Sequence, residues 1–498
     1  MAIYYSKPIS SLSLDKSALN SVSSNNRRIL NGTTDNLTSP IVQSISADSV
    51  LSGWDSIFKD NSDKVNDVLM AIELKNRSKY GPRSIAVPWS ERREAFYSTF
   101  GDSDLGKDLS VNVDRPFQLR PISLENAIGF LKNSTSSGLP TMLKKVKVKP
   151  DLIKNFKTWL KSEYPGILFT RTQELGKTRD TICPSVADTV NEMMFYRPLL
   201  DVQRKLPWRA ALNSPDEIDA AITKLFDKVK QDSKLYLVSI DFKNYDKSIK
   251  GGLQYAAWNY IKQRFQKQYH SALEYIAQRF KFLPVVTPDG IIYGPHGVPS
   301  GSTFTNEIDS IVQYLVASSC EFVEFLELCQ IQGDDGVYIT TDPDGLIKCF
   351  EKYGLEVSTD KTDVSKEFCV YLQSLYHNDY SKDGKLVGVY STYRALNRII
   401  HLERFEDLKD EISGKDYFAI RTISILENCK HHPLHKELVK YVYSIDKYKL
   451  AYSDQGLKQY ISRIARQDGK DVTFRNWQYG ENLGGINEFE TVKILKGM

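Results

Sequence analysis

Two spacings of apolar residues alternate along the 498-residue chain. From Cys329 to Ile339, apolar and polar positions alternate on both sides of Gly333-Asp334-Asp335, which predicts strand, tight turn, strand. A Gly-Asp pair at the tip supplies the positive backbone angles that a two-residue turn demands. The near-continuous apolar run that begins at Leu235 predicts a buried central strand ending at Asp241. Phe368–Gln373 predicts a further strand, and Tyr353–Thr362 a turn into an edge strand. The alternating Lys144–Lys149 predicts a solvated edge strand, or a strip that steers a polyanion. Helical spacing marks Leu51–Arg77 (Trp54, Ile57, Val65, Val68, Leu69), 151–163, 185–200 up to Arg197-Pro198, 247–267, Thr305 to about Leu328, and 343–353. Beyond about residue 400 the pattern is mainly helical, with Gly480–Asn487 opening a flexible tail. Ser6 to about Ser52 is rich in Ser, Asn, Thr and Asp, so it is either a loosely ordered arm or an extended strap.

A hydrophobic share of 41% is enough for a large core divided among about two to four subdomains. A net charge of +4 excludes a basic nucleic-acid coat. The charge is uneven, however: residues 141–180 hold 10 Lys and Arg against 4 Asp and Glu, more than the whole chain's surplus. The 28 tyrosines suit base stacking as well as ordinary core and surface use. Six cysteines (183, 320, 329, 349, 369, 429) form no C-x-x-C pair, which argues against a zinc site and for reduced thiols in an intracellular protein. No apolar run reaches the ~18 residues of a membrane span, and the first thirty residues lack the apolar centre of a secretory signal. A soluble protein of the cytosol or of a particle interior is expected.

The chemistry starts from Asp334 and Asp335. Alone they are a hairpin turn; beside a third, strand-borne carboxylate they become oxygen ligands for divalent metal. Asp241 is that third group, since a carboxylate at the end of a core strand needs a compensating cation or donor. Asp246 is either a helix N-cap or an acceptor for a ribose hydroxyl. Asn133–Pro140 is turn-forming, a plain surface loop or one that touches the phosphates of a threaded strand. Arg171, Lys177 and Arg179 are surface charge or a grip on a triphosphate, with Lys177 and Arg179 on one side of an extended segment. Ser300, Gly301 and Thr305 feed a helix N-terminus, as generic capping or as a phosphate cradle. Lys361 is a solvated loop lysine or a general acid for departing pyrophosphate. His431, His432 and His435 are expected to be a surface cluster, not a metal site.

Taken together and in order, these stretches resemble the viral RNA-dependent RNA polymerases, over residues 134–373, about half the chain. Ser134–Pro140 resembles motif G, Arg171–Arg179 motif F, Asp241 with Asp246 motif A, and Ser300-Gly301 with Thr305 motif B. Gly333-Asp334-Asp335 resembles motif C, Tyr353–Lys361 motif D, and Tyr371-Leu372-Gln373 motif E. The wording Val298-Pro-Ser-Gly-Ser-Thr-Phe-Thr and Ile331-Gln-Gly-Asp-Asp is most similar to picobirnavirus polymerases, then to partitivirus enzymes, both of which serve segmented double-stranded RNA genomes.

The resemblance implies an α+β (mixed) fold, a right hand of fingers, palm and thumb with an antiparallel palm sheet flanked by helices. Residues 1–80 would bridge fingers and thumb, 81–185 and 266–295 form fingers, 186–265 and 296–375 palm, and 376–498 thumb and tail. It implies two Mg2+ ions (Mn2+ as a substitute) on Asp241 and Asp334, with Asp335 assisting, and ribonucleoside triphosphates as substrates. Nucleotide would be met by Arg171, Lys177, Arg179, Asp246, Ser300, Gly301, Thr305, Asn306 and Asp309; template and primer by Ser136, Ser137, Gly138, Pro140, Tyr371, Leu372 and Gln373. Expected partners are a single-stranded RNA template, double-stranded RNA product and a viral capsid protein, with no membrane. The expected place is the virion interior and host cytoplasm.

One position departs from the family. Asp309 stands where many relatives carry the Asn that reads the ribose, and an anionic Asp accepts but does not donate. Asn306 lies one turn earlier and faces another direction. A reverse transcriptase is disfavoured, because Asp246 replaces its aromatic gate and Gln332-Gly333 its Tyr-x. A non-catalytic RNA-binding relative would be free to lose Asp241, Asp334, Asp335 and Lys361. Primer-independent initiation is expected, with part of residues 376–498, the tail from Gly480 as its candidate with Phe474, Trp477 and Tyr479 nearby, as platform or plug.

Overall fold

The computed structural model describes residues 4–42, 45–408, 411–468 and 485–498. Its N-terminal fifth is helical: after a short strand β1 (Tyr5–Lys7) come α1 (Lys16–Asn31), α2 (Ala47–Asp60), α3 (Asp67–Arg77) and α4 (Trp89–Tyr97). Asp15, Ser46 and Asn66 cap the first three by accepting from backbone N–H groups of the first turn. The stretch read as an arm or strap is therefore largely helix. Ser17, Asn20, Ser23 and Ser24 of α1 are exposed, while Ala18, Val22, Asn26 and Ile29 are buried. A sparse apolar stripe is enough when a sheet lies beneath it.

Next come α5 (Leu124–Phe130), α6 (Lys145–Lys161), β2 (Gly166–Thr172), β3 (Thr178–Cys183), α7 (Val186–Gln203) and α8 (Pro215–Gln231). Two expectations are corrected here. Lys144–Lys149 is not a strand but opens α6, whose buried Val148 and Leu152 are spaced by one helical turn while Val146 faces water. Helix α7 does not stop at Pro198 but runs on to Gln203. Buried Phe195, Leu199 and Leu200 hold it against the core, which offsets the backbone hydrogen bond that the proline removes.

The central sheet follows. It contains β4 (Tyr236–Ile240), then, after α9 (Tyr245–Ser248), α10 (Gly251–Arg264), α11 (His270–Phe282), β5 (Val285–Thr287), β6 (Gly290–Tyr293) and α12 (Thr305–Ser318), the strands β7 (Val323–Glu324), β8 (Gln330–Gln332) and β9 (Asp335–Thr340). Beyond α13 (Pro343–Lys352), β10 (Asp363–Ser365) joins the same sheet at the predicted edge. The order is β10-β4-β9-β7, with β8 also on β9, all antiparallel. β4 and β9 are almost wholly buried, and α12 and α10 cover one face with Val312, Ile308, Trp258 and Ile261. A second sheet, β1-β6-β5-β2-β3, lies under α1 and α4. β11 (Phe368–Tyr371) and β12 (Ser374–His377) form a small sheet behind the first.

The remaining chain is α14 (Thr392–Ile400), α15 (Gly414–Glu427), α16 (His435–Ile445), α17 (Asp454–Asp468) and a final helix Glu490–Lys496. These helices share one core with Trp54, Phe58 and Leu69 of α2 and α3. The chain's two ends are thus one packed body. The histidine cluster is corrected too: His432 and His435 are buried, and His432 Nε2 lies 2.8 Å from Glu73 of α3. The expected tail lies outside the described residues up to Gly484; Gly485–Glu488 is a turn of tight helix.

Candidate active site

The pairing of β4 with β9 sets Ile240 opposite Gly336. One further step along the same antiparallel register brings Asp241 opposite Asp335, at the tip of the β8–β9 hairpin. Gly333, at φ 66, makes the turn as predicted. Burial and neighbouring charge act together on these carboxylates. Asp335 is pushed up to about 7 by burial, then by Asp334 and Asp241. Burial, with Asp334 opposing Lys361, raises Asp241. Asp246, on α9, is raised to about 6 by burial and Asp334. It is not the N-cap, a place held by Asn244. Asp309 of α12 is raised well above the usual range by burial, then Asp246 and Asp334, and its Oδ1 has no partner within the protein. Among the described residues no three such side chains form a ready-made metal cage. Five carboxylates therefore meet as like charges, and Asp334, exposed, opens the group to the cleft.

The hairpin tip is held from behind by α12. Ser310 Oγ accepts from Gly333 N at 2.8 Å, and Gln313 Nε2 donates to Gly333 O at 2.9 Å. Gln313 Oε1 in turn accepts from the buried Tyr338 hydroxyl at 2.6 Å. Tyr245 donates to Asp309 O at 2.9 Å, tying the Asp246 helix to the same turn of α12. At the start of α12, Glu307 is ion-paired to Arg209 at 2.5 Å, both side chains fully buried. Arg209 also reaches Asn306, which lies against Gly333. Sequence reasoning missed Ser310, Gln313, Arg209 and Glu307. The signal available was a polar face, Asn306, Ser310 and Gln313, on a helix otherwise apolar enough to be core.

Positive charge faces the carboxylates from two sides. Lys361 Nζ lies 3.7 Å from Asp241 Oδ1. Lys177 and Arg179 are both exposed and two residues apart, one side of the β2–β3 hairpin. Burial, then Arg179 and Lys361, lower Lys177 below the ordinary lysine value, and Asp241 offsets this. Arg171 sits directly across from Arg179, a repulsive cross-strand pair. Its guanidinium is occupied by Glu403, at 3.0 Å, beyond α14. Glu174, at the hairpin tip, is 3.7 Å from Arg83 and 3.8 Å from Arg394. Arg171 thus belongs to a clasp between this hairpin and the C-terminal helices.

The Ser300 loop is stitched to β3. Ser300 Oγ donates to Asp180 O at 2.9 Å, and a side chain at Gly301 would sit 1.9 Å from Ile182 O, so only glycine fits. Thr305 Oγ1 donates to Pro299 O and Ser302 O. Buried Glu192 of α7 accepts from Ser302 Oγ and Thr303 N at 2.8 and 2.7 Å. Burial pushes it up to about 7. The hydroxyls of Ser300 and Thr305 therefore shape the loop. Of the Ser-rich loop, Ser137 and Gly138 are buried, with Ser137 Oγ bonded to Thr141 and Gly138, while Ser136 and Pro140 remain partly exposed. Tyr371 is core; Leu372 and Gln373 make the β11–β12 turn at φ 49 and 68, with Leu372 packed against the core beside Tyr371 and Gln373 exposed.

The chain matches the family model for viral RNA-dependent RNA polymerase over residues 202–424. It is 27% identical over 524 residues to the potential RNA-dependent RNA polymerase of Human picobirnavirus (strain Human/Thailand/Hy005102/-), covering 94% of this chain and 95% of that one. It superimposes with a TM-score of 0.76 and 26% identity on the crystal structure of the RNA-dependent RNA polymerase of a human picobirnavirus, covering 95% of this chain and 96% of that chain. The same figures hold for the insertion-loop deletion mutant of that enzyme. Matched along nearly its whole length, with the palm sheet and its flanking helices in place, the chain is an RNA-directed RNA polymerase of the viral right-hand fold.

Proposed function

We propose that this polymerase replicates and transcribes the segmented double-stranded RNA genome of a virus by two-metal nucleotidyl transfer, starting without a primer. The observation that carries the reading is the group of like charges at the β4 end and the hairpin tip. Burial, with the neighbouring charge of Asp334, raises the pKa of Asp241, Asp246, Asp309 and Asp335, and Lys361, Lys177 and Arg179 stand across from the group. An all-oxygen anionic set suits hard divalent cations. Asp241 and Asp334 would hold two Mg2+ ions, with Mn2+ as a substitute and Asp335 assisting; bound there, the ions would stabilise charge on the attacking and leaving oxygens.

The chain's own groups position the reactants. Lys177 and Arg179 hold the triphosphate, Lys361 supplies a proton toward pyrophosphate, and Asp246 accepts from a ribose hydroxyl. Asp309, kept neutral by burial and its acidic neighbours, donates an O–H where an anion would only accept. Residues 186–265 and 296–375 serve as palm, 81–185 and 266–295 as fingers, 376–498 as thumb, and 1–80 bridge the two ends. The enzyme works inside a capsid, in contact with capsid protein, and in the host cytoplasm.

Purified protein incubated with single-stranded RNA, four ribonucleotides and Mg2+ should make template-length product without primer, and Asp334→Ala should make none. Product from both proteins would sink the carboxylate assignment. Because Glu490–Lys496 is docked through Glu427 and His435, the plug idea is tested by deleting only 474–484. Unchanged initiation and product release in that variant would remove it.

A further inference from the structure

Helix α1 is amphipathic, and its buried side is anchored on the β2–β3 sheet. Asn25 Nδ2 donates to Leu168 O at 2.8 Å and Asn26 Nδ2 to Thr287 O at 3.0 Å, which fixes the helix's roll. The opposite side, with Ser136 and the half-buried Phe169, lines an open groove of about 770 Å³. Lys16, Asn20, Ser24 and Arg28 are exposed there and recur once per turn, a single stripe about 18 Å long. Between Lys16 and Asn31 there is no Asp or Glu, and none of the described residues lining the groove is a carboxylate. The nearest acid on the chain, Asp15, is turned back to cap α1 through Ala18 N. Ordinary solvated helix faces mix both signs; this one offers only hydroxyl, amide and cationic groups.

Such groups bind phosphate and sugar without reading bases, and an aromatic floor adds a stacking surface. The groove's position adds a second argument. Ser136 O accepts from Cys183 Sγ at 3.7 Å, at the end of β3. β3 itself carries Arg179 and holds the Ser300 loop through Asp180. Ser136 is also bridged to Lys144, at the head of the lysine-rich α6. The groove therefore leads from the outer surface to the strand that faces the catalytic carboxylates.

We infer that the exposed face of α1 is a track for single-stranded RNA, on which the uncopied part of the template runs toward the active site. The inference rests on the chain's copying an RNA template and extends the template contacts to an N-terminal helix outside the polymerase motifs.

The test measures binding by fluorescence anisotropy, on primed templates whose uncopied 5′ overhang is either long enough to reach α1 or too short to do so. The readout is the ratio of the two affinities. Lys16→Gln/Arg28→Gln should lower the ratio about five- to ten-fold and make the salt dependence of long-overhang binding shallower by about one unit of slope. Asn20→Ala/Ser24→Ala should lower the ratio about three-fold without changing the slope. An unchanged ratio in both pairs, or equal loss on both templates, overturns the track. Primed extension by the wild-type protein on the short overhang is scored separately, so a failure of polymerase activity is distinguishable from a failure of the groove.

Discussion

The seam around Glu73 and the cleft around Asp335 both bury acidic side chains, and they handle the cost in opposite ways. Glu73 of α3 is fully buried between the chain's two ends. Burial alone would raise its pKa, but hydrogen bonding and charge from His432, then donors from Ser391 and Thr392, pull it below the usual value. In the cleft, Asp335 is buried beside Asp334 and Asp241 and rises to about 7. Glu73 is given a partner of opposite charge, whereas the cleft carboxylates are given more of their own sign. That contrast marks the site better than burial does, since burial is common to both.

The largest break in the comparison is expected at the cleft. Asp241→Ala or Asp334→Ala should lower the rate of nucleotide incorporation by about a thousand-fold or more. The melting temperature should hold or rise slightly, because each change relieves repulsion; single-turnover incorporation and a melting curve read the two effects. Glu73→Gln should do the reverse. It leaves His432 without its carboxylate and should cost about 3 kcal/mol of stability, seen as a lower melting temperature, with little effect on incorporation by the folded fraction.

Between these extremes lie the groups that position others. Gln313→Ala frees Gly333 O and should reduce kcat about ten-fold with KM for nucleotide unchanged, since the hairpin tip loses its register against α12. If Asp309 works as a neutral donor, Asp309→Asn should retain activity within about three-fold, while Asp309→Ala should raise KM for ribonucleotides about ten-fold.

The smallest effect sharpens the pH side of the contrast. Glu192 has a folded pKa raised to about 7 from 4.5. Its stabilising contribution is therefore full below pH 4.5 and is lost as pH rises through about 7. Glu192→Gln should melt progressively higher relative to wild type as pH increases from 5 to 8. A pH-independent difference would remove this account. Glu73, with a lowered pKa, runs the other way: its contribution is present above the unfolded value and fades only as pH falls below it.

Much of the site was legible in the chain. A near-continuous apolar run located β4 and alternation located β8 and β9, and the carboxylates at their ends followed from where the run stops and from turn chemistry. What failed was instructive. The Lys-Val alternation of 144–149 is equally compatible with the first turns of a helix, and only the later stripe of Val148 and Leu152 decides it. Arg171 looked like Lys177 and Arg179 in sequence, yet its pairing with Glu403 depends on α14 packing beside the β2–β3 hairpin, a contact across 232 positions. His432 looked solvated because its cluster carries no thiol or carboxylate ligand pattern; Glu73 is brought to it by the fold.

The sequence by itself determined the local elements and the order of the chemical groups, because period, turn residues and caps act over a few residues. It determined the all-oxygen character of the cleft and the departure at Asp309. Tertiary structure alone decided which charges are paired and which face their own kind, because that depends on register and packing between distant segments. One step of antiparallel register sets Asp241 against Asp335. The roll of α12 sets Ser310 and Gln313 behind Gly333, and the docking of α1 turns a Ser- and Asn-rich stretch into one wall of a groove.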